Sequence, residues 1–340
     1  MRNHTIIKAD PEVYREDILN FWEEYLPGTS AGRLDWMNSG NPAGPAVWFL
    51  AFEEETGKLT GTISVMPKDF SYKGGKIRAG IMGDFMVLKT NRVFGPGLML
   101  PKTVVSHMEE LGFDFLYSMP NRESKKVIEK SGLAECLTLR HLVKPVSTEH
   151  YIRKYVFSIP ACFFAPLSDA VITFISALVV PFGKGILCEE NKADESFDVL
   201  WKRIQGKAQG LVGECGSRYL NWRYFKNPQN DFRLITCRRE QNDLRGYTFY
   251  AVEAGKLEIY DIVALDGISV RSMLKELTVR AKKEGCHGIG IRITDHNPFL
   301  PWLRGFLFLD AKDDSHVFAK TSGTDIDCNT WGFLSGDRNM

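Results

Sequence analysis

No charge of one sign dominates this 340-residue sequence: 43 Lys and Arg stand against 42 Asp and Glu. A near-neutral chain lacks the long-range field that draws proteins to nucleic acid, so no nucleic-acid partner is expected. The seven cysteines (136, 162, 188, 215, 237, 286 and 328) are odd in number and widely spaced, with no C-x-x-C. That argues against a disulfide framework and a structural zinc site, and fits a reducing compartment. His141, His287 and His296 have no spacing to carboxylates or cysteines that suggests a metal, so none is expected. The first residues contain no apolar core of signal-peptide length, and the expected location is cytoplasmic. Long hydrophobic runs are scarce too. The most apolar stretch, Phe157 to Phe182, is broken by Pro160, Pro166 and Pro181, and its longest proline-free piece, Leu167 to Val180, has 14 residues. About 20 are needed to span a bilayer as a helix. A buried or interdomain helix is expected there, with a helix lying on a membrane surface as the alternative, so peripheral membrane contact stays open.

What is present is enough apolar material, 44% of residues, for two domains with their own cores. Residues 11–26 read as a helix, with Asp10 as N-cap, Pro11 at the first helical position and Pro27-Gly28 ending it. A Gly/Asn/Pro-rich connection through Pro45 follows, then a hairpin of 47–53 with 59–66, a short strand at 70–72 and another from Ile77. The order then changes to strand (81–88), glycine turn, helix (98–111) and strand (113–119), closed by a helix at 122–131 and a strand at 137–143. The fold class is therefore α/β, a mixed sheet with an antiparallel meander leading into a parallel crossover. The turn, Arg92-Val93-Phe94-Gly95-Pro96-Gly97-Leu98, organises the rest. Its glycines let backbone approach a ligand, and the N–H groups of a helix start point at an anion such as a pyrophosphate.

The second half repeats the first. Leu34-Asp35-Trp36-x4-Asn41-Pro42 recurs as Leu220-Asn221-Trp222-x4-Asn227-Pro228 at a constant spacing of 186 residues. Asp84 matches Asp261 within Ile259 to Leu265, Asn121 matches Asn297, and Gly132-Leu133 matches Gly305-Phe306. Two copies of one fold are expected, residues 1–145 and 191–340, joined by an apolar helical linker at 146–190. Only the first copy keeps Arg-x-x-Gly-x-Gly; the second has Leu265-Asp266-Gly267 there, and a carboxylate where a phosphate would sit is repulsive. The second copy is expected to supply shape, interface or acceptor contacts.

This pattern resembles the GCN5-related N-acyltransferase superfamily, in the tandem arrangement of FemAB-like proteins and of acyltransferases associated with exopolysaccharide synthesis. The resemblance rests on Arg92, Gly95 and Gly97, on Val87 at the strand end, and on Asn121 through Gly132-Leu133. It implies that acetyl-CoA or another acyl-CoA is the cofactor. Phe85, Met86 and Val87 would lie along the pantetheine, and Arg92, Val93, Phe94, Gly95, Gly97 and Leu98 would hold the pyrophosphate. Asn121 and Ser124 would contact the pantetheine arm. The partner implied is an amine acceptor: an amino sugar, an amino acid or a glycan precursor. Pro96 removes one N–H from the cradle, and Ile128 stands where many members have the tyrosine that protonates the leaving thiolate.

Acyl transfer to an amine needs a neutral nitrogen and therefore a proton acceptor nearby. Asp84 is the candidate catalytic base, because a charge in an apolar strand is costly to bury unless paired or functional. The alternative is a salt bridge to a residue such as Arg78. Asn121 and Ser124 are equally at home as helix-cap residues. Trp36 and Trp222 read as packing residues, whereas Arg223 and Tyr224 are candidates to face the acceptor between the copies. The competing functions are an aminoacyl transferase using aminoacyl-tRNA, a non-catalytic CoA-binding scaffold, and an enzyme that takes its acyl group from acyl carrier protein.

Overall fold

The computed structural model describes residues 3–26, 29–88, 95–147, 185–208, 210–240, 243–323 and 326–338. Arg92, Val93, Phe94 and most of the apolar linker lie outside the described residues. The described strands form one fourteen-stranded mixed sheet rather than two separate ones.

In the first half, β1 (His4–Ala9), β2 (Val47–Glu53), β3 (Leu59–Tyr72) and β4 (Gly75–Val87) form an antiparallel meander. β5 (Phe115–Ser118) then joins β4 in parallel after the crossover helix α3 (Pro96–Ser106). Helices α1 (Arg15–Tyr25) and α2 (Ala31–Asn38) precede β2, and α4 (Lys125–Lys130) leads to β6 (Ala134–Pro145). The second half runs in a similar order, with a short strand and a final strand added. β7 (Ile186–Glu190) comes first, then α5 (Glu195–Gln205), a tiny β8 (Val212–Gly213) and a helical turn over 217–225. β9 (Arg233–Arg238), β10 (Leu244–Glu253) and β11 (Lys256–Ala264) follow. After α6 (Gly267–Lys283) come β12 (Gly288–Thr294), α7 (Leu300–Gly305), β13 (Leu309–Asp310) and β14 (Ser315–Thr321). β11 and β12 are the second parallel pair.

The halves exchange strands at their junction. β14 lies between β5 and β6, β13 pairs with the same edge of β6 as β14, and β6 pairs on its other side with β12. Thus a strand late in the sequence completes the first half, and β6 extends the sheet of the second.

Several elements depart from the sequence expectation. The connection before Pro45 contains α2, whose Leu34, Trp36 and Met37 are buried; burial of that face outweighs the helix-disfavouring glycine at 32. β3 runs unbroken through Pro67, which falls in the gap between the β2 ladder ending at Val65 and the β8 ladder at Phe70 and Ser71, where that edge needs no donor. β1, β7 and β14 are short strands that sequence periodicity did not mark, and β7 falls within the range expected to be linker.

Packing ties the two halves together. The Trp36 and Trp222 rings stack at 4.8 Å with an interplanar angle of 10°. Each indole N–H donates to the other's backbone carbonyl, at 2.9 and 3.0 Å. They sit in a core shared by both halves, where Phe70, Phe115, Tyr117 and Trp331 contact one another edge-on or stacked. Separate clusters lie under α3 in the first half and under α6 in the second.

Candidate functional site

A sheet strand can present its backbone to a ligand only where it leaves its neighbour. β4 and β5 pair only from Ala79 to Ile81 against Phe115 to Tyr117, and β4 continues to Val87. Beyond Ile81 the strands separate around a cavity of about 410 Å³. One wall is Met82, Gly83, Asp84 and Phe85, the other Ser118 through Asn121, with Ser124 and Ile128 closing it from α4. On its other edge β4 breaks register with β3 between Thr62 and Ser64, so Asp84 and Phe85 form a bulge. Asp84 adopts φ +46°, a conformation uncommon for a residue with a side chain.

The bulge is held by side chains. Arg33 of α2 donates to Asp84 Oδ1 from Nε at 3.1 Å and from Nη2 at 2.9 Å. Ser64 Oγ donates to Oδ2 at 2.7 Å, and Thr62 Oγ1 donates to the Asp84 carbonyl at 3.1 Å. The partner is therefore Arg33 and not a residue such as Arg78. Both members of the pair are nearly buried, at 5% and 7% exposure. Two of these side-chain hydrogen bonds go to Oδ1 of Asp84 and one to Oδ2, which ties the carboxylate into the bulge.

Gly95 caps α3 with φ +101°, the left-handed conformation glycine tolerates. The Leu98 and Met99 amides both bond to its carbonyl, and Gly97 is buried in the first turn. Phe85 lines the cavity and Met86 is half-buried, whereas the Val87 side chain belongs to the core under α3, which leaves only its backbone for a ligand. Asn121 Oδ1 accepts from the amides of Glu123 and Ser124 at 3.1 and 2.9 Å, the capping arrangement, and from Ser124 Oγ at 2.9 Å. Ile128 is buried against the cavity, so no phenol stands there.

The residues present fit coenzyme A in outline. They provide an open strand edge, a bulge and a helix led by a glycine in a conformation that excludes most side chains, while no arginine or lysine of the described residues other than Arg338 lines the cavity.

The second half has the same device in different company. β11 breaks register with β10 beside Asp261, and Thr248 Oγ1 donates to the Asp261 carbonyl at 2.9 Å, as Thr62 does to Asp84. β11 and β12 pair only from Lys256 to Ile259, and a cavity of about 350 Å³ opens beyond. Burial pushes the Asp261 carboxyl up to about 7, the charge of Asp337 adding to the effect and Lys68 opposing it. Burial lowers the Lys68 ammonium, but its ion pair with Asp337 more than offsets this and raises it overall.

A tail of residues 335–338 runs between the two cavities: Gly336 and Asp337 line the second, Arg338 the first. Arg223 does not face an acceptor cleft. It is fully buried, donates to the Gly336 carbonyl at 3.0 Å and to that of Arg338, and so fastens this tail. Tyr224 does reach the second cavity, stacked at 3.9 Å on Phe249. A Cβ added at Gly336 would lie 2.2 Å from its hydroxyl, so only glycine fits there. Arg33, Ser64 and the Lys68–Asp337 pair were not singled out from sequence; the one available signal was that Arg33 directly precedes the repeated Leu-x-Trp motif. Among the described residues no group of His, Cys, Asp and Glu could hold a metal, and no helix is long and apolar enough to cross a membrane.

Compared by sequence, the chain matches no family model and no curated protein. Compared by fold, it is similar to a GCN5-related N-acetyltransferase from Anabaena variabilis, with a TM-score of 0.66 at 12% identity over 94% of this chain and 73% of that one. A probable N-acyltransferase from Enterococcus faecalis gives 0.64 at 10% identity, over 96% and 74%. N-myristoyltransferase from Saccharomyces cerevisiae, with myristoyl-CoA bound, gives 0.59 at 12% identity over 94% and 83%. At such identities the likeness concerns architecture: the chain has the α/β mixed-sheet fold of the GCN5-related N-acetyltransferases and of N-myristoyltransferase.

Proposed function

We propose that the protein is an N-acyltransferase that moves an acyl group, acetyl in the simplest case, from acyl-CoA to an amine acceptor. The observation that carries this reading is the gap between β4 and β5, with a bulged strand edge on one wall, in a chain whose β4 is followed by the Gly95-led crossover helix. The backbone of Phe85 to Val87 would lie along the pantetheine, and Arg92 with the Gly95–Leu98 turn would hold the pyrophosphate. Asn121 caps α4 and keeps Ser124 at the cavity wall. Asp84 enters as the residue that fixes the bulge through Arg33 and Ser64, and the proton acceptor is another group or a water chain. A thiolate of pKa about 8.5 leaves without a strong acid, so Ile128 is compatible with turnover. The acceptor is an amino sugar, an amino acid or a glycan precursor, approaching from the junction of the two halves; Tyr224 is the acceptor contact retained from sequence.

The test is calorimetric binding of coenzyme A, followed by thiol release from acetyl-CoA and longer acyl-CoAs with a panel of amines. Arg92→Glu should weaken coenzyme A at least tenfold more than it weakens pantetheine without the nucleotide. Equal losses would remove Arg92 from the pyrophosphate, and absence of any coenzyme A binding would overturn the function.

A further inference from the structure

The cavity of the second half contains a carboxylate that lacks the cation found at the matching place in the first. Asp84 is bound by Arg33. The residue that matches Arg33 across the repeat, directly before Leu220, is Tyr219, which brings no charge. Asp261 instead receives hydroxyl hydrogen bonds, from Tyr247 at 3.2 Å and from Tyr224. Among the described residues no Lys, Arg or His stands within ion-pair distance of it, because Lys68 is committed to Asp337. Asp261 is partly exposed, into a cavity that also presents the Tyr219, Tyr224 and Tyr247 rings and apolar Leu211, Val263 and Phe299.

We propose that this cavity is a binding site for a small primary amine on an apolar or aromatic body, its ammonium taken by Asp261 and its body by the tyrosine-lined wall. The ammonium supplies the charge that Arg33 supplies in the first half, with N–H donors for the carboxylate oxygens. Aromatic faces favour such a cation further, and a ~350 Å³ space is of ligand size. The proposal rests on the second half alone and does not require that the protein transfers acyl groups.

The amine must meet an ionised carboxylate, so affinity should rise with pH through about 7. The titratable and charged groups facing Asp261 are Asp337 and Lys68, the hydroxyls of Tyr219, Tyr224 and Tyr247, the Cys215 thiol, Glu214, Lys207 and His296. Glu214 is itself raised, by burial and then by Asp69, so the Asp261→Asn control is needed to assign the profile.

The experiment is calorimetry on the full-length protein, without acyl-CoA, using phenethylamine, benzylamine and tyramine, each beside the alcohol that replaces its amine. The expected result is at least tenfold tighter binding of the amines and an affinity that increases from pH 5.5 to 8. Asp261→Asn should abolish both while leaving coenzyme A binding unchanged. Tyr219→Arg, which restores the first-half pairing, should exclude the amines as well. Equal binding of amines and alcohols, an undiminished preference in folded Asp261→Asn, or binding of none of the amines would overturn the proposal.

Discussion

Asp84 lies within a bulge of β4 and Asp261 beside a bulge of β11, each with its carbonyl bonded by a threonine, and the two differ in what meets the carboxylate. An arginine and a serine close around Asp84; tyrosines and a cavity surround Asp261. The threonine-to-carbonyl bond is common to both halves, while at one position on a neighbouring helix Arg33 brings a cation to the first acid and Tyr219 brings none to the second. A buried ion pair contributes little beyond its desolvation cost, but removing one partner leaves the other stranded. No cation pairs with the acid in the second half; burial, and then the charge of Asp337, raise its proton affinity against the hydrogen bonds from Tyr247 and Tyr224.

The stacked tryptophans give the largest way to break this symmetry. Trp36→Ala and Trp222→Ala should each cost about 3–5 kcal/mol in denaturant unfolding. Because each donates to the other's backbone, the double variant should lose less than the sum, by about 0.5–3 kcal/mol. Strict additivity would mean that the two halves are not coupled there.

Arg33→Leu tests the charge difference itself. It strands a nearly buried Asp84 and should cost about 3 kcal/mol or more, whereas Tyr219→Phe, which leaves no charge behind, should cost about 1 kcal/mol or less. The Arg33→Leu, Asp84→Leu double variant should regain part of the loss. Comparable losses for Arg33→Leu and Tyr219→Phe would erase the distinction drawn between the halves.

A smaller, pH-dependent signature belongs to Asp261. Its folded-state pKa lies above the ordinary aspartate value, so the folded form binds the proton more tightly than the unfolded chain. The stability it contributes is greatest below about pH 4 and is lost as pH rises toward 7. Asp261→Asn should flatten that part of the unfolding-midpoint profile; an unchanged slope would assign it to another group, such as Glu214. Least of all, Asn121→Ala removes a cap and should cost about 1 kcal/mol with little change in coenzyme A affinity. A large affinity loss at unchanged stability would instead return Asn121 to the ligand.

The two parallel crossovers were legible in the sequence because periodic apolar strands and helices are local signals. So was the packing role of Trp36 and Trp222. The Arg33–Asp84 and Lys68–Asp337 pairs were not, because their members lie 51 and 269 residues apart and only the fold brings them together. Arg223 misled for a related reason. Beside Tyr224 it reads as a residue facing an acceptor between the copies, yet the tail that passes over it comes from the far end of the sequence. Pairings that depend on chain crossing leave no mark in local composition.

The strand exchange at the junction has a consequence for synthesis. A ribosome that has delivered β1 to β6 has made a half whose β5 and β6 cannot yet pair through their common neighbour, since β14 is still to come. Until then β5 and β6 each present an unpaired edge, the kind of surface on which strands of other chains add. The first half is therefore completed last, by a closure spanning some two hundred residues, and high contact order of this kind slows folding and lengthens exposure to misassembly. Nascent chains arrested before residue 315 should depend on chaperones in a way that the finished protein does not.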